Sequence, residues 1–590
     1  MRKIWNLGST TVRNPNRIHG GLVIYKDEMN GSVYGTEEER EYARILGDKN
    51  LVNSDIPGDW HGRKWRSTFY KLGFISYQKY KVGGNSISHQ RFSEIFSDFD
   101  FNGNNYEITN AGKQYVDSTT ISERNDLILR QLLALEIPSP IESDFDRQVG
   151  QMKPFLFFLN ILFLLFENNE PGLNALEIGL FIQPFKNHTA DSINNTYQSI
   201  IAYREERSRV NGGANRLKEF DNQKKNEIRH SLDIVSPSED TQFKEYPDTT
   251  IRYSRLSGLI TNHGRRITVR SDKINLISQI IDSPLTFLSR DEPILYLSNF
   301  LNGTQTIPSD DINIARAEIL ELENELNNSS EEFHIQLPED LEAITDESRV
   351  EQLRFELLER NSVRREVEFA NNQSDASQID EIIQYLRALP NRQERIELGI
   401  NSEAPAYMEW SVWRAFLAIN SIVNPILDTR GFKIDDEIKP IHHAPGGRAD
   451  MSFQFDSWGL AVEVTLTGGS RQVVTEGEPV RRHIYQFSRE CEGECFGLFI
   501  APTIDINTAH YYLSPSWYAE QDADAEAYYL RIVPIKLQQF IQVLIKFKDS
   551  PFSTDDLKNL FNSIIDERDG TNHAGRWLRR INNLINRFVS

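Results

Sequence analysis

From residue 401 onward the chain alternates between helical and strand-like periodicity, and this pattern narrows its fold more than any other feature. AYMEWSVWRAFLAINSI (406–422) reads as a helix with Trp410, Trp413, Phe416 and Leu417 on its apolar side. A short strand at 437–441 and a Gly-rich loop, HHAPGGR, come next. Two further strands at 450–455 and 459–467 are separated by the turn Asp456-Ser457-Trp458. A helix then starts near Glu476 and includes RRHIYQFSRE. An apolar strand at 495–502, a strand at 529–535 and the helix KLQQFIQVLIKF (536–547) complete the pattern. Strands and helices that alternate in this way bury their apolar faces in an α/β domain.

The 590 residues are too many for one core, and three or four domains are expected. The net charge of -21 is unevenly spread: residues 1–300 sum to -1, residues 301–400 to -14 and residues 401–590 to -6. An acidic total disfavours nucleic acid as a partner, but what binds a duplex is a local basic patch. The longest apolar run, Pro154 to Phe166, is too short to span a bilayer and reads as a buried helix. MRKIWNLGST has no apolar stretch behind its basic start, so no signal peptide is expected. The only cysteines, Cys491 and Cys495, are expected to be structural thiols in a reducing cytoplasm.

Two stretches of the first half share a layout. KLGFISY (71–77) leads through Gly/Asn-rich sequence to YEITNAGKQYV (106–116), and RLSGLITNHGRRITVRSDKINLISQII covers 255–281. Each has a Gly-led apolar strand, a turn-rich excursion, a second β-prone run and a helix opening at a cap, Thr109 or Ser271. The order strand, wing, strand, helix suggests winged-helix modules. Arg63, Lys64 and Arg66, with Trp65, Phe69 and Tyr70 interleaved, precede the first hairpin. Arg252, Arg255, Arg265, Arg266 and Arg270 decorate the second. Arginine can read guanine edges and lysine serves phosphate, so these clusters are candidate DNA contacts. Residues 301–400 carry Leu and Ile at three- and four-residue spacings among Glu and Arg, the pattern of amphipathic helices. So acidic a segment reads as a helical spacer that sets the distance between two working halves. The expected domains are therefore recognition modules at 1–145 and 146–300, a helical linker at 301–400 and a catalytic domain at 401–590.

Within the last of these, Asp450 begins one strand and Glu463 lies inside the next. Carboxylates on neighbouring strands make an oxygen-rich, open site suited to Mg²⁺, which can polarise a phosphodiester and lower the pKa of attacking water. Glu463 sits among Ala461, Val462, Val464 and Leu466, where an unpaired charge is expensive. Val464 points to the opposite face and can still offer its carbonyl. Glu476 and His483, seven apart, share a helix face, and Glu409 interrupts an otherwise apolar helix start.

These residues carry a resemblance. Asp450, twelve intervening residues and Glu463-Val464-Thr465, preceded by a helix bearing Glu409 and followed by GEPVRRH, look like the PD-(D/E)xK nuclease core. MEWSVWRAF, DDEIKPIHHAPGGRADM, AVEVT, EGEPVRRH and LFIAP, in that order, resemble the AlwI family of type IIS restriction endonucleases and their nicking relatives. The resemblance spans roughly 405–505 and is looser over the first 300 residues. It implies a bacterial Mg²⁺-dependent endonuclease acting on double-stranded DNA a few base pairs outside a short asymmetric site. Asp450 and Glu463 would be metal ligands with the Val464 carbonyl, and Glu409, Glu476 and His483 would position metal, water or phosphate. The usual lysine is replaced by Thr465, which supplies no cation. One nuclease domain per chain means that double-strand cleavage needs a transient homodimer, a second nuclease subunit or reorientation. A strand-specific nickase of the same architecture, and a non-catalytic DNA-binding regulator with a degenerate nuclease fold, are the competing readings; no membrane partner is expected.

Overall fold

The computed structural model describes the chain apart from residues 1–3, 32, 34, 50, 53–58, 77–106, 140–149, 212, 235–241, 264–265, 338–340, 399, 401–402, 420, 445, 514–516 and 519–527. It divides into two compact units, residues 1–325 with 335–359, and residues 326–334 with 360–590. The architecture is mixed and rich in helices, with small sheets. Among the described residues no helix is long and apolar enough to cross a membrane.

The first unit is mainly helical. Helices α1 (Asp59–Lys71), α2 (Asn110–Asp117), α3 (Ile121–Ala134), α4 (Pro154–Glu167) and α5 (Gln242–Arg255) are followed by strands β1 (Ile260–His263) and β2 (Arg266–Val269) and helix α6 (Ile274–Asp282). The apolar run of α4 lies inside, with Phe155, Phe157, Phe158, Leu159, Ile161 and Leu162 fully buried. Trp5, Phe69, Phe74, Leu129, Phe157, Ile267 and Leu297 belong to one core, so both halves of the stretch expected to hold two modules contribute to it.

Near the first expected wing, Ile75 bridges Ile108 antiparallel, and Thr109 caps α2 by accepting from the Gly112 N–H at 3.1 Å. Residues 77–106 between them lie outside the described residues. The second hairpin pairs Ile260 with Val269 and His263 with Arg266, with α5 before it and α6 after it. Ser271 does not cap α6. It opens a 3₁₀ turn (Ser271–Lys273), and α6 follows at Ile274 without a side-chain cap. Arg270 draws the Asp272 carboxylate to 2.6 Å inside that turn.

The acidic stretch is helical as its spacing implies, with α7 (Ile312–Asn327), α8 (Glu347–Asn371) and α9 (Ala376–Ala388). In the first unit, Arg354 of α8 is buried and reaches Asp126 at 2.5 Å and Glu318 at 3.2 Å. α9 belongs to the second unit, where its Ile382 and Leu386 enter the core.

The second unit continues with α10 (Ala404–Ile419), β3 (Lys433–Ile434), β4 (Pro440–His442), β5 (Met451–Phe455), β6 (Trp458–Val464), α11 (Arg471–Ser488), β7 (Glu494–Ala501), α12 (Ile506–Leu513), β8 (Ile532–Lys536), α13 (Leu537–Asp549), α14 (Thr554–Asp569) and α15 (Ala574–Val589). Its main sheet has the order β8-β7-β6-β5. β8 runs parallel to β7 and β7 to β6, while β5 returns antiparallel to β6 with Phe455 opposite Trp458. The turn is therefore Asp456-Ser457, and Trp458 is already strand. α11 carries the crossover between the parallel pair β6 and β7, as such a connection requires.

The two faces of β6 differ in size. Leu460 and Val462 share a face with Phe453, which packs on Phe416 of α10 at 4.8 Å between centroids. The other face is small. A Cβ on Gly459 would lie 2.3 Å from Cys491 Sγ, and one on Gly497 of β7 would lie 2.1 Å from Ile484 Cδ1. Together with Ala461, these glycines let α11 lie close on the sheet. That approach sets the geometry of the site.

Candidate active site

The sheet ends its central strands at a cluster of acids. Register pairs Met451 with Val462, so Asp450 stands opposite Glu463 one step further on, on the face that carries α11. Asp450 accepts from the Val464 N–H at 2.8 Å, and the Thr465 N–H donates to the Ile500 carbonyl at 3.0 Å. The end of β6 is thus held on both sides. Glu463, 7% exposed, meets Nδ1 of His483 at 2.7 Å. The His483 Nε2 is buried and has no hydrogen-bond partner. About two turns earlier on the same helix, Glu476 accepts a hydrogen bond from Thr465, and its own carbonyl accepts from the Tyr512 hydroxyl at 3.1 Å.

Glu409 reaches the site from α10. It is 5% exposed and accepts from the Ala444 N–H at 2.7 Å, which ties α10 to the loop before Asp450. Gln472 holds the other side. Fully buried, it donates to the Thr467 and Thr503 carbonyls at 2.9 Å each and accepts from the Asp505 N–H at 2.9 Å. It fastens the loop after β6 to the loop after β7. Neither the Ala444 contact nor Gln472 has a sequence signal, because both act through backbone groups brought near by the fold.

So many acids in one place repel, and burial amplifies the effect. Burial, then the Asp450 charge, holds the Glu409 carboxyl well above the usual range. Burial and the Glu463 charge raise Asp450, and burial and the Glu476 charge raise Glu463. Burial also raises Glu476, while it lowers His483, helped by the neighbouring Arg482. Perturbed carboxyls facing one another at strand ends mark a functional site more often than a structural one.

Among the described residues no three Asp, Glu, His or Cys side chains are gathered into a metal cage. The donors nevertheless fit a hard divalent cation. Asp450 and Glu463 stand opposite each other at the strand ends, burial and neighbouring acids raise both carboxyls, and Mg²⁺ keeps several waters and needs only one or two carboxylates from a protein.

The arginines of the first unit are mostly engaged with the protein itself. Arg66 pairs with Glu39 at 2.8 Å and donates to the Val33 carbonyl at 3.1 Å. Arg252 pairs with Asp248 at 2.9 Å and donates to the backbone carbonyls of Val12 and Arg13. Arg266 holds Glu177 and the Gly172 carbonyl, each at 2.7 Å. Arg255, half-buried, ends α5, and Arg265 lies outside the described residues. Arg63 and Lys64 are exposed on α1. Trp65 and Phe69, further along the same helix, are buried in the core.

Buried acids at the ends of a mixed sheet define a candidate hydrolytic centre, and family membership gives its class. The model of the AlwI restriction endonuclease family matches residues 70–543, and the chain belongs to that family. It is a restriction enzyme, a site-specific deoxyribonuclease. No curated protein matches it. Among solved structures it is similar to the small subunit (R.BspD6I2) of the heterodimeric restriction endonuclease R.BspD6I, at 22% identity over 35% of this chain and 98% of that one, with a TM-score of 0.28. It is also similar to the BpuJ1 endonuclease binding domain, solved with pyrene- and phenanthrene-modified DNA, at 10% identity over 52% of this chain and 97% of that one, with a TM-score of 0.31.

Proposed function

We propose that the chain is a type IIS restriction endonuclease: it reads a short asymmetric site through winged-helix-like modules in residues 1–300 and hydrolyses DNA a few base pairs away with a PD-(D/E)xK domain in residues 401–590. The observation that carries this reading is the placement of Asp450, just before β5, opposite Glu463 of β6, with His483 on Glu463, in a chain of this family.

In this reading Asp450 and Glu463 hold Mg²⁺ together with the Val464 carbonyl. When bound, the ion polarises the phosphodiester and makes its water a nucleophile near neutral pH. The protein's own residues do the positioning. His483 fixes the orientation of the Glu463 carboxylate through Nδ1 and leaves Nε2 to meet a water or a phosphate oxygen. Thr465, where the wider superfamily has lysine, instead holds Glu476. Glu409 shapes the loop that leads into Asp450. Arg63 and Lys64 are the strongest DNA contacts of the first cluster, because Arg66 is already paired.

Strand-specific nicking is the second reading, and it rests on one nuclease domain per chain, with one facing pair of acids, Asp450 and Glu463, among its described residues. Incubating supercoiled plasmid with the protein in Mg²⁺ and in EDTA separates the outcomes. Linear product dependent on Mg²⁺ supports the first reading, open circles the second, and untouched plasmid rules out both.

A further inference from the structure

The last helix of the chain, α15, is built as two opposite halves. Trp577, Ile581 and Ile585 are buried, and Trp577 Nε1 donates to the Ile564 carbonyl at 3.0 Å. At about 100° per residue, Arg576, Arg579, Arg580 and Arg587 all fall within a sector of about 100° on the far side. Arg580 is drawn to Glu567 of α14. Arg576, Arg579 and Arg587 are exposed and have no ion-pair partner among the described residues. The helix has no Asp or Glu at all, in a chain of net charge -21.

Its place in the unit matters as much as its charge. α15 packs on α12, which packs on α11, the helix of Glu476 and His483. The N-terminal end of α15 lies beside the start of α12, since a Cβ on Gly575 would sit 3.6 Å from Ile506 Cδ1. The adjoining Asp505 N–H is bonded to Gln472, at the beginning of α11. The arginine stripe therefore starts one helix away from the acidic cluster.

We infer that this stripe binds the phosphates of duplex DNA flanking the cleavage position, independently of sequence. The inference rests on the nuclease reading above. From Arg576 to Arg587 the helix rises about 16 Å, close to half a turn of duplex, whose strands each carry a phosphate every 3.4 Å or so. Asn582, Asn583 and Asn586 fill the same outer surface, which has no exposed apolar side chain to anchor a protein partner. Arginine without a carboxylate partner is suited to phosphate. A local basic face also answers a need of the acidic cluster, which would by itself repel the backbone that it cuts.

The test uses the full chain carrying Arg576→Gln, Arg579→Gln and Arg587→Gln together, beside a second variant with lysine at the three positions. Binding to a random-sequence duplex is followed by anisotropy in EDTA over a range of salt, and plasmid cleavage is followed separately. Each lost phosphate contact lowers the slope of log K against log salt by about 0.9, so the glutamine variant should lose up to about 2.7 and cut more slowly at limiting DNA. The positions of its cuts should not change, and the lysine variant should keep the slope. An unchanged slope and rate in the glutamine variant overturns the inference. So does a lysine variant as weak as the glutamine one, which would mean a structural role, or a change confined to self-association of the chain. A wild-type protein that cuts no plasmid would count against the nuclease reading instead, because the binding measurement does not depend on cutting.

Discussion

At the scale of single residues, Asp450 and Glu463 are acids set among buried apolar neighbours such as Ala449, Met451, Ala461 and Val462. Glu463→Ala and Asp450→Ala should each reduce cleavage to background while leaving binding to the cognate site largely intact; retained cleavage near the wild-type rate would remove them from the catalytic assignment. His483→Ala should cost about 10–100-fold in rate, the usual penalty for losing the partner that orients a metal-binding side chain. Glu478→Ala should be much milder than Glu476→Ala, since Glu478 is exposed and its contacts are to Arg482, at 3.2 Å, and Tyr518 rather than to the acidic cluster. The raised carboxyls also make a pH prediction. A group whose pKa is raised by folding contributes stability at low pH and loses that contribution as pH rises through its folded value. Glu409, Asp450, Glu463 and Glu476 all shift in this direction, and His483, shifted down, acts only at or below its ordinary value of about 6.5. Metal-free protein should therefore lose the stability these carboxyls carry as pH rises from their ordinary values of about 4 through their raised ones, with His483 opposing the loss only up to about pH 6.5, and Mg²⁺ should raise the melting temperature more at the alkaline end. Melts in EDTA and in Mg²⁺ check this, and an equal or smaller Mg²⁺ effect at high pH would contradict it.

At the scale of elements, most of the second unit was legible and the reasons are local. Alternating apolar runs located β5, β6 and β7, and the adjacency of Asp450 and Glu463 followed from a tight hairpin between their strands. The start of α11 was less legible. Gly477 and Pro479 sit within its first turns and move the apparent beginning toward Glu476, whereas the helix opens at Arg471, just after Gly468 and Gly469. Ties made by tertiary approach, such as Glu409 to Ala444 and Thr465 to Glu476, leave no periodic trace. Nor does pairing of arginine with a distant acid, which is why Arg66, Arg252 and Arg266 read as free cations in the sequence alone. The small face of the sheet supports an element-scale prediction. Gly497→Ala would drive a methyl into the fully buried Ile484 and push α11 away from Glu463. Overpacking of this kind costs about 1–3 kcal/mol. It should lower both melting temperature and cleavage, and Ile484→Val, which removes the clashing Cδ1, should restore part of both. A double variant no better than Gly497→Ala would mean that the close approach of helix and sheet does not position His483.

For the whole molecule, the two compact units do not divide the chain at residue 300. The first unit takes in residues up to 325 and again 335–359, and its interior explains why. Ile319 of α7 and Val350 of α8 are buried, as is Arg354, the common partner of Asp126 and Glu318. Arg130 donates to Asp310 at 2.7 Å in the same region. A fragment of residues 1–300 keeps Asp126 and Arg130 but loses both partners, together with the apolar cover of α7 and α8. Removing one member of a buried ion pair costs about 3–5 kcal/mol, less where water can reach the remaining charge, and each kcal/mol lowers the melting temperature of a large domain by about 2–4 °C. We therefore expect residues 1–359 to fold cooperatively and residues 1–300 to melt at least about 10 °C lower, if they fold cooperatively at all. If residues 1–300 alone hold the reading modules, both fragments should still prefer the cognate site when folded, with affinity falling as salt rises. Thermal melts and competition binding on the two fragments decide the matter. Equal stability would mean that the acidic helices are not structural parts of the first unit, and a folded 1–359 fragment without site preference would place recognition elsewhere in the chain.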